Sequence, residues 1–450
     1  MELKDLLLTP LYLALIYSLA FAVRARVTNI YTRKYFIPAL TLKLIGAIAL
    51  GLIYQFYYSG GDTFNYFLHS SLMYEAFGDS FPVGLKLLTS NGERLPELAK
   101  YTSRMFWWQP DSTELVIVRI AAVLSMLCFN TYTVIALFFA CISFSGMWAM
   151  FMTFAKIRPQ VYEQLAMAVF FIPSVFFWGS GLMKDSLCLG ALGWIFYAFY
   201  QGAIQKKRLV KSLFIGGIAA YLLYVTKIYI LLSFVPPALI WVFNENSQRI
   251  KNGLVRIVAK PFLIGIGVVA AVFVMNNLTE GDEKYDMDNI GKRSKITADY
   301  LYEVSVKQEG SAYTLGKQDG TIAGMVKLAP QAIIVSLFRP FLWEVRNPIM
   351  LLSALEATFF IVFTLRILFR VGAARFFGTI ARTPVLTLSF VFALVFGASV
   401  GIISNNFGTL VRYKIPLIPF YVAGLYILQN ISTEGRTIKR PRPVRRLATT

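Results

Sequence analysis

The chain has 450 residues, of which 57% are hydrophobic and only 15% are charged. Soluble globular proteins contain about 45–50% apolar and about 25% charged residues, so this composition excludes a water-soluble fold and predicts an all-α, polytopic membrane protein. A single histidine and three cysteines, all within apolar stretches, argue against histidine-ligated zinc, haem held by two histidines and CxxC redox chemistry.

The net charge of +20 is concentrated in short connectors and in the tail sequence GRTIKRPRPVRR. Charge distributed in this way acts as a topology signal and as an anchor for anionic lipid. We therefore expect membrane lipid, and no nucleic acid, among the partners.

Eleven apolar runs are predicted to cross the membrane, and the chain is interpreted as one integral membrane domain over residues 1–450. In chain order, the predicted spans are 6–23, 35–57, 132–155, 162–181, 185–204, 212–226, 228–243, 262–276, 349–369, 384–403 and 415–431. The first run is predicted to be a retained span because it exceeds the usual signal-peptide core of about 7–15 residues.

With these spans, the basic connectors all fall on one side of the membrane. They are 24–34, 156–159, 205–211, 248–260, 366–382 and the tail 432–450. Positively charged connectors favour the cytoplasmic side. We therefore expect a multi-pass protein of the cell (inner) membrane, with its N-terminus outside and its C-terminus in the cytoplasm.

Two apolar runs need a specific interpretation. Counting 114–129 as a span would put 205–211 outside, so it is predicted to be juxtamembrane or re-entrant. The run 212–243 is too long for one ordinary span, and we divide it near Lys227. The long connectors 58–113 and 277–348 then lie on the outer side.

Connectors of that length are not needed merely to join helices. Within the first, residues 64–77 carry apolar side chains at helical spacing, which predicts a helix along the membrane surface. The second opens on the acidic stretch TEGDEKYDMDN and becomes apolar again towards its end.

The sequence SGGDTFNYF (59–67) ends an apolar run with a carboxylate. Gly60 and Gly61 permit a sharp turn, after which Asp62 has two interpretations. It caps a helix beginning near Thr63, or it is a base or metal ligand in an outward-facing cavity. Both roles are compatible with each other.

The sequence FIPSVFFWGSGLMKDSLCLGAL places Lys184 and Asp185 directly after a Gly-Ser-Gly junction. In one interpretation Asp185 complements the positive end of a helix and Lys184 reaches the headgroups. In the other, Lys184 binds a phosphate as a point charge.

In LFRPFLWEVRNP (337–348), Arg339 and Arg346 flank Trp343 and Glu344. Arginine suits bidentate phosphate binding, tryptophan a sugar face or the interface, and glutamate proton transfer. The structural alternative is an Arg–Glu pair at the level of the headgroups.

In NNFGTLVRYKIPLIPF (405–420), Arg412 and Lys414 flank Tyr413 at the predicted outer end of the last span. Positive charge on that side runs against the usual bias, and an anionic ligand is the simplest reason for it. Lys227, at its predicted outer turn, is expected to join this anion site.

These motifs together predict a site for a lipid-linked phosphate with polar groups beyond it. The predicted catalytic residues are Asp62, Glu344 and Asp185; the phosphate-binding residues are Lys184, Arg339, Arg346, Arg412, Lys414 and Lys227; the sugar-binding residues are Tyr66, Trp343 and Tyr413. No cofactor is predicted, and a divalent metal is compatible with the site without being indicated by it. Five charged residues also lie within or near predicted spans, which is costly and often functional: Lys43, Arg119, Lys227, Glu356 and Arg366.

At GGDTFNYF, GSGLMKDSL and RYKIPLIPF the chain resembles the GT-C superfamily of membrane glycosyltransferases and the related EpsG-like or Wzy-like polysaccharide polymerases. The resemblance implies a polyprenyl-phosphate-linked sugar donor, a site facing the periplasm or its equivalent, and a catalytic role for Asp62. Thr63 stands where that superfamily frequently has a second acidic residue, and the loop follows the second predicted span rather than the first.

Two other classes fit parts of the pattern. A transporter or flippase of a lipid-linked sugar or another anion uses the same basic cavity without chemistry. An intramembrane protease pairs Asp62 with Asp185, or Ser180 with His69, but these aspartates are predicted at span ends and His69 on a surface segment.

Overall fold

The computed structural model describes residues 3–110, 112–247, 287–307 and 311–437. The described residues are 82% helical and form no strands. The helices are α1 (Leu3–Val27), α2 (Arg33–Phe56), α3 (Asp62–Asp79), α4 (Phe81–Thr89), α5 (Ala99–Thr102), α6 (Glu114–Leu127), α7 (Tyr132–Ile157), α8 (Tyr162–Phe170), α9 (Pro173–Trp178), α10 (Lys184–Phe199), α11 (Leu209–Ser247), α12 (Met287–Lys307), α13 (Ile322–Phe338), α14 (Pro348–Val371), α15 (Ala373–Arg382), α16 (Pro384–Ser404), α17 (Phe407–Tyr413) and α18 (Leu417–Thr437). The predicted span 262–276, the connector 248–260 and residues 438–450 of the predicted tail lie outside the described residues.

Seven of the described helices are long and apolar enough to cross a membrane: α1, α2, α7, α10 with its π-helical extension to Ile204, α11, α14 and α16. Helices α17 and α18 meet at 65° and make an eighth when the bent pair is counted as one span. The predicted all-α membrane architecture is therefore confirmed, whereas the count of eleven spans is not.

The predicted span 162–181 is divided into two short helices, α8 and α9. The division falls at Phe171 and Ile172, directly before Pro173. Proline disfavours the helical conformation of the residue before it, so the break has a local cause. Its consequence is that α9 enters the Gly-Ser-Gly junction as an independent short helix.

The segment predicted to be juxtamembrane or re-entrant forms α6, which has 14 residues. Such a helix is about 21 Å long, shorter than the hydrocarbon core of about 30 Å. Residues 64–77 are helical as predicted and belong to α3, whose Phe64 and Phe67 rings contact Tyr132 at the start of α7.

The long helix α11 reverses direction at Lys227, which has the non-helical dihedrals φ −144° and ψ 72°. Before it, Ser212 lies against Gly202 at the far end of α10, and Thr226 contacts Cys188 near the beginning of α10. After it, Phe234 contacts Phe196, so the chain runs back along α10. The division predicted near Lys227 therefore marks the turn of a helical hairpin.

Contacts between helix termini define two ends of the bundle. At one end Lys34 pairs with Glu163 at 2.6 Å, and Arg158 pairs with Glu434 at 3.5 Å. The predicted basic connectors 24–34 and 156–159 thus lie at the same end. The opposite end collects the end of α2, the beginning of α10, the turn of α11 and helix α17, which carry the charged residues described next.

Candidate functional site

Arg412 is the centre of a chain of ion pairs that joins four separate segments. Its Nη1 donates to Asp62 Oδ2 at 2.7 Å, and its Nε donates to Asp185 Oδ2 at 2.6 Å. The other oxygen of Asp185 accepts from Lys227 Nζ at 2.5 Å. We call these four residues the ion chain; its two carboxylates and two cations balance in formal charge.

The two carboxylates of the ion chain differ in their access to solvent. The Asp185 side chain is 2% exposed, whereas the Asp62 side chain is 44% exposed. A buried carboxylate held by two cations is fixed in place, since removing either contact leaves charge unpaired away from water. Asp62 is therefore the exchangeable partner of Arg412.

Backbone geometry places Asp62 at the start of α3. Gly60 and Gly61 have φ of 139° and 121°, conformations that favour glycine, and a Cβ on Gly61 would lie 2.8 Å from the Tyr54 ring. Gly61 is the N-cap residue and no side chain caps the helix. The helix begins one residue before Thr63, close to the predicted position, but the interpretation of Asp62 as its cap is wrong, because its carboxylate binds Arg412 instead.

Asp185 is presented by the Gly-Ser-Gly junction, whose carbonyl groups are all hydrogen-bonded. Ser186 Oγ donates to the carbonyl oxygens of Ser180 and Gly181 at 2.7 and 2.8 Å. Gly179 O accepts from Ser143 Oγ at 2.7 Å and from Lys43 Nζ at 2.6 Å. The junction is thus held by side chains of three helices: α2, α7 and α10.

Lys43 is a residue whose structural role sequence reasoning missed. It is fully buried in α2, and its ammonium also contacts Val175 O at 3.3 Å and Ser143 Oγ at 3.2 Å. Ser143 belongs to α7, whereas the Val175 and Gly179 carbonyls lie at the C-terminal end of α9, where a cation complements the negative end of the helix dipole. The signal available in the sequence was a charge inside an apolar run.

Lys184 does not reach outwards as a snorkelling lysine would. Its Nζ donates to Glu114 Oε1 and to Thr113 Oγ1, both at 2.6 Å, at the start of α6. Although burial alone raises the pKa of Glu114, the Lys184 ammonium holds that pKa below its usual range. Sequence reasoning missed Glu114 as a partner, because the ion pair joins segments 70 residues apart.

Arg339 and Glu344 form the local pair that was the structural alternative for their motif. Arg339 Nε donates to Glu344 Oε2 at 3.0 Å, and Phe341 N donates to the same oxygen at 2.8 Å. Burial raises the pKa of Glu344, but these two donors and the Arg339 charge lower it by more. The guanidinium also lies 5.1 Å from the centroid of the Phe407 ring.

The other predicted site residues are distributed around this arrangement. Trp343 is 81% exposed and stacks on Phe341, with centroids 4.7 Å apart. Arg346 is exposed, whereas Lys414 is buried, with its Nζ 3.4 Å from Arg339 O. Tyr66 is buried against Trp107.

A cavity of about 870 Å³ opens beside the ion chain. Of the predicted residues, Asp62, Arg412 and Tyr413 line it, while Asp185 and Lys227 lie behind Arg412. The remaining walls come from α2, the residues before Asp62, α9, α12, α14 and α17: Tyr54, Tyr58, Ser59, Gly60, Gly61, Trp178, Leu301, Ser305, Ser311, Asn347, Ile349, Met350, Ser353, Asn406, Phe407, Gly408, Thr409 and Val411.

Tyr413 lines the cavity and also contacts the ion chain. The Lys227 ammonium lies 4.2 Å from the centroid of its ring, within cation–π distance. An anion that entered the cavity would compete with Asp62 for the Arg412 guanidinium, whose side chain is 14% exposed. Among the described residues, no three His, Cys, Asp or Glu side chains gather as a metal site.

The apolar helices and this ion chain define the class as an all-helical membrane protein with a charged cavity at one end of the bundle. Comparison with known proteins adds no name to that class: the chain matches no protein family, no curated protein and no solved structure.

Proposed function

We propose that the protein is a membrane glycosyltransferase or polysaccharide polymerase that acts on polyprenyl-phosphate-linked sugars at the outer face of the membrane. The observation that carries the proposal is Arg412, shared between a buried carboxylate and an exposed one at the wall of a large cavity. A guanidinium is suited to bidentate phosphate binding, and its partner Asp62 is the accessible carboxylate of the ion chain.

In the proposed reaction, the phosphate of the lipid-linked donor replaces Asp62 on the outward nitrogens of Arg412. The released Asp62 carboxylate takes the proton of an acceptor hydroxyl as that oxygen attacks the anomeric carbon. The new glycosidic bond forms while the bond between the anomeric carbon and the phosphate oxygen breaks. The lipid phosphate leaves with the bonding electrons and its charge is stabilised by Arg412.

The buried part of the ion chain has a different role in this scheme. Asp185 orients the Arg412 guanidinium through Nε and holds Lys227 close to the same centre. Its charge stays inside the protein when Asp62 is displaced, so Arg412 keeps one counterion throughout. Asp185 is thus a positioning residue rather than the base.

The proposed outer location is supported by the arrangement of the two ends of the bundle. The connectors 24–34 and 156–159 lie at the end opposite the ion chain, and their positive charge favours the cytoplasm. In the proposed topology the cavity faces the extracytoplasmic side, with the N-terminus outside and the C-terminus inside.

A transporter or flippase of a lipid-linked sugar or another anion is the alternative, and one observation favours it. The ion chain lies where helices are interrupted: α9 ends at the Gly-Ser-Gly junction, α11 turns at Lys227, and α17 meets α18 at 65°. Interrupted helices at a charged centre are typical of secondary transporters.

The test compares Asp62→Asn and Arg412→Ala with Arg104→Ala, an exposed arginine outside the cavity. We expect both site variants to abolish the glycan product in cells or in reconstituted membranes, while expression and membrane insertion stay normal. Arg104→Ala should retain the product. Unchanged product in both site variants would refute an enzymatic role.

Transport gives a different pattern in the same experiment. If lipid-linked sugar still moves across proteoliposomes containing Asp62→Asn at the wild-type rate, and no glycosidic bond is formed by either protein, the transporter is the correct class. Cysteine labelling at positions 62 and 412 from the outside tests the location, since both must react from the same face.

A further inference from the structure

A second cavity, of about 520 Å³, lies in the segment that follows α4. It shares no lining residue with the cavity beside the ion chain. Its described lining includes Arg94, Thr102, Ser103, Phe106, Trp108 and Gln109. The predicted site made no use of this segment.

The segment around this cavity is folded tightly onto itself. Gly92 has φ 81°, and a Cβ there would lie 2.2 Å from the Gln109 carbonyl carbon. The backbone at Gly92 therefore packs directly against the backbone at Gln109. Trp108 Nε1 donates to Glu93 O at 2.8 Å, and Arg119 Nη2 donates to Ser90 O at 2.7 Å. The backbone that carries the lining residues Trp108 and Gln109 is therefore held in place.

Arg94 is the charged residue among the described lining residues. Unlike three other basic side chains nearby, it has no ion-pair partner among the described residues. Lys86, Lys100 and Arg104 each form an ion pair with a carboxylate of this region. Within the described part of the chain, the Arg94 guanidinium has neither a hydrogen-bond nor an ion-pair partner. Its planar fork is available to a carboxylate from solution.

The rest of the lining is suited to a sugar. Phe106 is 53% exposed and offers an aromatic face, while Thr102, Ser103 and Gln109 offer hydroxyl and amide groups that both donate and accept hydrogen bonds. An exposed aromatic ring in a cavity lined by hydroxyl and amide groups is suited to a pyranose, and an unpaired arginine adds recognition of one negative charge.

We infer that this cavity binds an acidic sugar unit, a pyranose carrying a carboxylate, of the glycan that the proposed enzyme extends. Phe106 packs on His69, with ring centroids 4.4 Å apart. His69 lies seven residues after Asp62 on α3, a distance of about 10 Å along the helix axis. The inference rests on the proposed function for the identity of the glycan, although the binding itself is measurable without any reaction.

The experiment measures binding to the full-length protein in nanodiscs by calorimetry, with trigalacturonic acid, maltotriose and inorganic phosphate as probes. We expect trigalacturonic acid to bind and the other two to bind at least tenfold more weakly. Arg94→Ala and Phe106→Ala should each weaken trigalacturonic acid binding at least tenfold. Arg104→Ala, whose guanidinium is already paired with Glu75, is the matched control and should bind as the wild type does.

Three results would overturn the inference: equal affinity for the acidic and neutral trisaccharides, phosphate binding as tight as that of trigalacturonic acid, or undiminished binding by a folded Arg94→Ala. The variant Asp62→Asn separates this site from the proposed function. If it keeps full glycan synthesis while Arg94→Ala loses trisaccharide binding, the proposed catalytic role fails and the sugar site stands. If Asp62→Asn loses glycan synthesis while Arg94→Ala still binds the trisaccharide normally, the proposed catalytic role stands and the sugar site fails.

Discussion

Two sets of charged residues in this protein differ in burial and in the sequence separation of their partners. The ion chain of Asp62, Arg412, Asp185 and Lys227 connects residues 42 to 350 positions apart, and Asp185, which binds both cations, is almost fully buried. The pairs beside α3 and α4, such as Lys86–Glu97, connect residues close in sequence, and each of their side chains is about half exposed.

The difference lies in what each set does for the fold. An exposed pair interacts through water and salt, so its net contribution is small. A buried pair is costly to assemble and still costlier to break, because the remaining partner keeps its charge without hydration. Hence the ion chain constrains how α3, α10, α11 and α17 pack together, whereas the exposed pairs contribute little to the packing of the helices that carry them.

The largest effect is expected from Asp185→Asn, which preserves shape but removes the charge shared by Arg412 and Lys227. Breaking a buried ion pair costs on the order of 3–5 kcal/mol. We therefore expect a strongly lowered thermal midpoint in detergent or nanodiscs, measured by intrinsic fluorescence.

The double variant Asp185→Asn/Lys227→Met is the control for this interpretation, since it removes one of the two cations left unpaired. It should recover part of the lost stability. A midpoint equal to that of the wild type in Asp185→Asn alone would mean that Asp62 suffices as counterion and that the buried Asp185 charge does not stabilise the fold.

The residue types of the ion chain were predictable from the sequence, but its pairing was not. Asp62, Asp185, Arg412 and Lys227 each stand out as a charge at the boundary of an apolar run, which is costly and therefore conspicuous. Which carboxylate meets which cation depends on how the helices pack, and sequence periodicity carries no such information.

The same reason explains the partners that were missed. Lys184 meets Glu114 because the fold brings the beginnings of α6 and α10 together, and Lys43 meets the carbonyls at the end of α9 because Pro173 divides what reads as one span. Conversely, Arg339 and Glu344 are close in sequence, and their pair was an open alternative from the motif alone.

A smaller effect is expected from His69, which is buried without belonging to either charged set. Its two ring nitrogens have no hydrogen-bond partner among the described residues, and burial lowers its pKa to about 4. Below the ordinary histidine pKa of about 6.5, His69 is protonated in the unfolded chain but stays neutral in the folded protein. Stability should therefore fall by about 1 kcal/mol as the pH drops from about 6.5 to 5.5.

His69 is the single histidine of the chain, so a variant isolates its contribution. In His69→Leu, the slope of unfolding free energy against pH between those values should largely disappear. The measurement is denaturant unfolding at several pH values in one detergent. An identical slope in both proteins would show that another group titrates there.

The smallest effect is expected from Lys86→Ala, which breaks an exposed pair with Glu97. Both side chains remain hydrated when the pair is lost, and salt already screens their attraction. The thermal midpoint should match that of the wild type at both low and high salt. If Lys86→Ala instead destabilised the protein as much as Asp185→Asn, burial would not explain the difference between the two sets of charges. The burial of the Arg412 ion pairs would then be no reason to expect a large effect from breaking them.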